Sequence, residues 1–100
     1  MLLRMWWTEF DLDRLDELNE FARTRSTPMF EAFTGCLGHL FAHQDDRFLA
    51  ASTWIGHHAI GVAEASSLYR ETVDALAGTG LLHGEQSIEV FDISSLNMGE

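Results

Sequence analysis

The chain has no lysine, since all 6 of its basic residues are arginine. That removes Schiff-base chemistry and the lysine that grips phosphates from a glycine-rich loop. Positive charge is scarce altogether: 6 basic residues against 16 acidic ones give a formal net charge of -10. Such a chain repels phosphate backbones and anionic lipid surfaces, so neither nucleic acid nor membrane is expected as a partner. The single cysteine, Cys36, excludes an internal disulfide and a cysteine-built zinc site, which leaves a free buried thiol as the expectation. No apolar run approaches the roughly 18 residues that cross a bilayer, and Met1-Leu2-Leu3-Arg4-Met5-Trp6-Trp7 lacks the long apolar core of a signal peptide. A soluble cytoplasmic protein is expected.

Apolar residues make up 46% of the 100 positions, enough for one hydrophobic core and hardly for two. One domain over residues 1–94 is expected, followed by a short tail over 95–100. No internal repeat or low-complexity segment breaks the chain.

The pattern along it alternates between the two backbone periods. Leu2 to Phe10 is apolar and aromatic and reads as a first strand, with Asp11 placed to cap the helix after it. Leu12, Leu15, Leu18 or Asn19, and Ala22 recur at helical spacing to about Arg25, and Asp13, Asp16 and Glu17 put negative charge at the positive end of the helix dipole. Thr27 then Pro28 predicts a fresh cap and a further turn from Met29 to Phe33 after a kink, stopped by Thr34-Gly35. Cys36 to His43 has a period of two, with Leu37, His39, Phe41 and His43 on one face. Gln44-Asp45-Asp46 turns the chain into Arg47 to Ile55, closing an antiparallel hairpin. From His57 to about Ala77, Val62, Ala65, Tyr69, Val73 and Leu76 follow helical intervals, with Ser66 or Ser67 able to recap the helix midway. Glu85 to Ile93 reads as a fourth strand. The order β-α-β-β-α-β is an α+β, ferredoxin-like arrangement: a four-stranded antiparallel sheet with two helical segments on one face. Apolar residues point from the strands to both faces, so a second sheet must cover the side without helices, and a two-fold homodimer is the simplest remedy.

Three short stretches, Gly35-Cys36-Leu37-Gly38-His39, Trp54 with Ala59 five residues on, and Ser67-Leu68-Tyr69-Arg70, make the chain from Leu2 to about Ile93 resemble the antibiotic biosynthesis monooxygenase family. The resemblance implies a ferredoxin-like subunit paired into a dimeric α/β barrel. It implies a cofactor-independent monooxygenase or oxidase acting on an electron-rich aromatic, quinol-like or anthrone-like, with no metal or flavin required. The substrate, a small aromatic molecule, would enter between sheet and helices, lose a proton, and react as its anion with oxygen. Trp54 matches the family's tryptophan at the end of the third strand and would line that pocket, together with Trp7, Phe41 and His43. His39 and Tyr69 are the candidate catalytic residues, the first as a base titrating near neutral pH and the second as a proton donor. Two family positions differ here: a histidine early in the second helix falls at Ala63 or Glu64, and an asparagine of the third strand is Ala50. Haem degradation is disfavoured, because the region that would supply a ligand histidine reads Tyr69-Arg70-Glu71-Thr72-Val73.

Each of these residues has a plainer structural role available. Trp54 serves equally as core or dimer interface, Trp6 and Trp7 must face opposite ways, and the face bearing Leu37, His39, Phe41 and His43 can lie in an interface. His57-His58 opens a helix and suits the surface. His39 and His43 stand roughly 13 Å apart on a strand, too far to share one metal ion. Tyr69 can bury its ring and leave its hydroxyl at the rim, and the acidic run of the first helix suits a solvated face. A non-catalytic dimer that binds a small hydrophobic molecule or a partner protein is therefore the alternative, favoured by Ala50 and Ala63.

Overall fold

Strict alternation of side chains makes Leu2–Phe10 (β1) the organiser of the fold. Leu2, Arg4, Trp6, Thr8 and Phe10 are buried on one face, while Leu3, Met5 and Trp7 are half-buried on the other. The structure, a computed structural model, describes residues 1–99; of the tail expected over 95–100, Glu100 lies outside the described residues. β1 pairs antiparallel with both β3 (Arg47–Trp54) and β4 (Leu82–Asp92), and β3 pairs with β2 (Cys36–Gln44), giving the order β2-β3-β1-β4. This is the ferredoxin-like α+β sheet expected from the sequence.

The first helical stretch is more broken than its spacing suggests. A 3-10 turn at Leu12–Arg14 is capped by Asp11, whose carboxylate accepts from the Asp13 N–H at 3.1 Å. Arg14 leaves helical angles (φ -112°, ψ 25°) before α1 (Leu15–Phe21), which then runs through a π-helical turn (Ala22–Ser26) into α2 (Thr27–Ala32) with helical backbone angles at both junctions. Thr27 was expected to cap a new helix. Instead its N–H bonds back to the Ala22 carbonyl in the five-residue spacing of a π turn, and its hydroxyl turns to His39. Pro28 has no N–H to give the carbonyl four residues earlier, so the ladder widens just before it.

The second helical stretch divides at Ser66 into α3 (His57–Ala65) and α4 (Ser67–Ala77). The Ser66 hydroxyl donates to the Ala63 carbonyl at 2.6 Å and accepts from the Tyr69 N–H at 3.1 Å, ending one helix and capping the next. β4 begins at Leu82, three residues earlier than the pattern suggests. Gly84 there has φ +66°, and the β1–β4 register shifts beside it between Trp7 and Glu9; a glycine bulge of this kind hides a strand's period of two. A second register shift, between Cys36 and Gly38, separates Leu37 from His39 and leaves Leu37 exposed.

Two buried clusters lie between sheet and helices. One gathers Trp6, Phe10, Leu18, Phe48 and Leu81, the other Leu2, Met29, Phe30, Trp54 and Ile60. Among the described residues no helix lies on the sheet's second face: Leu40 and Phe91 are exposed there beside half-buried Leu3, Met5, Trp7 and Leu49.

Gly35 and Ala59, from two of the three stretches that carry the family resemblance, meet in this structure. A Cβ on Gly35 would collide with the Ala59 Cβ, and the Gly35 carbonyl accepts from the Ile55 N–H at 3.0 Å. The glycine lets the start of α3 sit directly on the entry to β2. Gly35→Ala is expected to destabilise the fold by about 1–3 kcal/mol through overpacking, read from urea unfolding midpoints, whereas Gly61→Ala, where an added Cβ meets nothing within 4 Å, is expected to be neutral or stabilising.

Candidate functional site

The helices do not seal perfectly onto the sheet. Between them lies a cavity of roughly 50 Å³, walled almost wholly by apolar atoms. Its floor is the inward face of the strands, Trp6, Phe41, Phe48 and Ala50. Its roof comes from α1 and the π turn (Leu18, Phe21, Ala22, Ser26), from α2 (Met29, Phe30), and from α4. The π turn brings the cavity a wall that a continuous α-helix would phase differently. Small Ala50 on the sheet floor leaves room where a longer side chain would project into the space.

One end of this cavity is polar. Arg4 comes from the middle of β1 and Tyr69 from the first turn of α4, and both line the cavity. Arg4 is only 3% exposed. Its Nε and Nη2 donate to Oε2 of Glu64 on α3 at 3.1 and 2.9 Å, and Nη2 also donates to the Tyr69 hydroxyl at 2.8 Å. The guanidinium carbon lies 5.5 Å from the centre of the Tyr69 ring. Glu64 keeps 39% of its side chain exposed, so the pair runs from a buried cation out to a carboxylate in contact with water. Such a cation costs several kcal/mol to bury without a partner, and Glu64 supplies it. Thr72 closes the polar end, its hydroxyl donating to the Leu68 carbonyl at 2.8 Å.

The expected site residues divide around this cavity. Tyr69 and Phe41 line it. His39 does not; its ring stacks on Phe30 at 5.1 Å between centroids, and its Nε2 lies 3.0 Å from the Thr27 hydroxyl. His43 is exposed and touches the edge of Phe10, with 6.1 Å between ring centroids. Trp54 is fully buried away from the cavity, its Nε1 donating to the Ser52 hydroxyl at 2.8 Å and its ring 6.0 Å from that of Phe33. Trp7 stands on the opposite face of the sheet, under the Arg47 guanidinium at 4.5 Å, and it is Trp6 that reaches the cavity. His57 and His58 are exposed at the start of α3. Cys36 is half-buried, and that burial pushes its thiol pKa up, which keeps it protonated and a poor nucleophile.

Periodicity along the sequence did not mark Arg4 and Glu64 as a site. The signal was present: Arg4 occupies an inward position of a strand whose other inward positions are Leu2, Trp6, Thr8 and Phe10. A charge in that register needs a buried partner. Of the two positions considered for the family histidine, Ala63 is packed in the core and Glu64 is the one that reaches Arg4. Among the described residues, no three histidine, cysteine, aspartate or glutamate side chains gather as a metal cluster, and no helix is long and apolar enough to cross a membrane.

Fold and cavity together define a ferredoxin-like domain with a small apolar chamber between sheet and helices. Solved structures of that architecture match the chain almost end to end. One named antibiotic biosynthesis monooxygenase superposes with a TM-score of 0.76 at 12% identity, covering 95% of this chain and 100% of the other. A protein of unknown function from Nitrosomonas europaea gives 0.79 at 15% identity over 99% and 94%. SnoaB, a cofactor-independent oxygenase from Streptomyces nogalater solved as a point mutant, gives 0.73 at 18% identity over 95% and 94%. No family model matches the sequence, and no curated protein matches it. The fold is thus that of structures named antibiotic biosynthesis monooxygenases.

The Tyr69 hydroxyl shares a nearly buried guanidinium with Glu64. Tyr69→Phe is expected to lower stability by about 1.5–3 kcal/mol, the worth of a hydrogen bond to a charged group, and calorimetric unfolding of the two proteins measures it.

Proposed function

We propose that the protein is a cofactor-independent monooxygenase or oxidase of electron-rich aromatic molecules, a quinol-like or anthrone-like substrate, and that the chamber between sheet and helices is where the reaction occurs. The observation that carries this reading is the chamber itself, with apolar walls and the Arg4–Tyr69 pair at one end. Apolar walls take an aromatic ring, and a fixed cation beside a hydroxyl favours the ring's ionised oxygen over its neutral form. An electron-rich anion can pass electrons to dioxygen without a metal or flavin. With an anthrone, one oxygen atom then stays on the ring CH2 carbon as a carbonyl and the other leaves as water with the two hydrogens that carbon loses; with a hydroquinone, two electrons and two protons pass to dioxygen, giving the quinone and hydrogen peroxide. Tyr69, whose hydroxyl adjoins the Arg4 cation, is the candidate to donate or relay a proton. The likeness to an oxygenase that needs no cofactor is consistent with this chemistry.

At roughly 50 Å³ the chamber is smaller than the engineered cavities of about 150 Å³ that take up benzene. Substrate entry therefore requires the roof to yield. Met29, an unbranched and adaptable side chain on the broken helical stretch, lies in that wall.

One observation favours a second reading, a dimer that binds a small apolar molecule without transforming it: among the described residues no histidine or carboxylate lines the chamber, so they offer no strong base there. The two readings separate by oxygen consumption. With a panel of hydroquinones and anthrones an oxygen electrode is expected to record enzyme-dependent uptake with at least one compound; binding of those compounds with no uptake from any of them would establish the second reading.

Both readings include a homodimer built on the open sheet face. Leu3, Met5, Trp7, Leu40, Leu49 and Phe91 make a patch there that a second copy, presenting the same face, would hide. Sedimentation equilibrium at micromolar concentration is expected to return twice the mass of one chain, and Trp7→Glu is expected to return the single-chain mass with the helical content unchanged. A wild-type monomer would remove the dimer from both readings.

A further inference from the structure

The Arg4 guanidinium, the fixed cation of the chemistry proposed above, has N–H groups that neither Glu64 nor Tyr69 engages. Arg4 has five N–H groups. Nε and Nη2 are engaged by Glu64 and Tyr69, whereas Nη1 makes no hydrogen bond among the described residues. No described side-chain nitrogen or oxygen is both buried and without a partner, so Nη1 is within reach of a water-sized probe although the whole residue is only 3% exposed. Both unused N–H groups sit on Nη1, so this nearly buried cation keeps donors for a charge-assisted hydrogen bond to one further anionic oxygen.

Charge elsewhere in the chain sets this cation apart. The formal net charge is -10, so the protein's general field repels anions. An anion held in the chamber must be held by a local cation, and Arg4 is the cationic side chain that lines it. Glu64 already neutralises Arg4 in part, from a position 39% exposed to water. It orients the guanidinium while weakening its pull on a second anion.

We propose that Arg4 is the anion anchor of the chamber, binding the ionised oxygen of a phenol through Nη1, and that Glu64 is a positioning residue that moderates this affinity. The proposal deepens the functional reading above by naming the group that receives the substrate oxygen, and it concerns binding alone, whether or not oxygen is consumed. It predicts opposite effects for the two members of one ion pair. Neutralising Arg4 removes the preference for the anion, and neutralising Glu64 increases it. A pair that served only to hold α3 against the sheet would weaken binding from either side.

The probe is 4-nitrophenol, a single ring whose anion absorbs visible light, with nitrobenzene as its uncharged counterpart. In the wild-type protein the bound phenol is expected to ionise about one pH unit below the free compound, seen as the phenolate band rising at lower pH. Glu64→Gln is expected to bind the phenolate several-fold more tightly and to lower that midpoint further. Arg4→Met is expected to lose roughly tenfold in phenolate affinity and to restore the midpoint of free phenol, while nitrobenzene affinity changes little. Arg4→Lys, which keeps the charge, is expected to retain a lowered midpoint; it serves where Arg4→Met fails to give the wild-type circular dichroism spectrum. An unchanged or raised midpoint in the wild-type protein, or weaker phenolate binding in folded Glu64→Gln, overturns the proposal. Neither result bears on oxygen uptake, and uptake with an unshifted midpoint would leave the oxygenase reading standing without Arg4 as anchor.

Discussion

A guanidinium sits where hydrocarbon would be expected, in the middle of the strand that pairs with two neighbours. Arg4 is nearly buried among Leu2, Trp6 and the roof of the chamber, and water cannot solvate it fully there. Its charge is tolerated because Glu64 from α3 and Tyr69 from α4 converge on it. That convergence depends on the break at Ser66. A helix running straight through would carry both side chains on one axis, whereas the Ser66 cap turns α4 away and presents Tyr69 beside the end of α3. One buried charge thereby ties strand, helix end and helix start together at a single point.

The rest of the architecture accommodates a sheet with two unlike faces. The helix side is filled by aromatic and aliphatic residues of alternating strand positions, and it leaves a chamber whose lining includes Ala50 of the sheet and Ala22 and Ser26 of the π turn. The other side carries Leu3, Met5, Trp7 and Leu49 with no element over them. The same alternation that packs Trp6 into the chamber wall sends Trp7 to the far side, so two adjacent tryptophans serve surfaces with different purposes. The exposed charges belong elsewhere: Arg14–Glu17 and Arg23–Glu20 pair on the outer helix surface, where ion pairs add little to stability.

Strand and helix identities, the antiparallel hairpin and the ferredoxin-like order were all legible, because each rests on local periodicity or on a short connection. Asp11 as a cap and a recapping serine at 66 or 67 were legible for the same reason, and the structure selects Ser66. Less visible were the π turn before Pro28, the early start of β4 and the displacement of Leu37. Each is a register slip, by a missing N–H or by an extra residue in a bulge, and periodicity read along a single segment averages over such slips.

Composition and alternation by themselves determined that the chain builds one sheet with apolar residues on both faces, that its surface is acidic, and that lysine chemistry is absent. Only the tertiary structure decided which aromatic residues share a cavity. It sent His39, His43, Trp54 and Trp7 to other surroundings and brought Arg4, Glu64 and Tyr69 together across some sixty residues of sequence. The physical reason is that a strand's period fixes which face a side chain occupies, whereas the depth at which it is met from above depends on where the overlying helices break. Those breaks are set by single hydrogen bonds, at Ser66 and before Pro28, whose consequences appear only once the chain has folded back on itself.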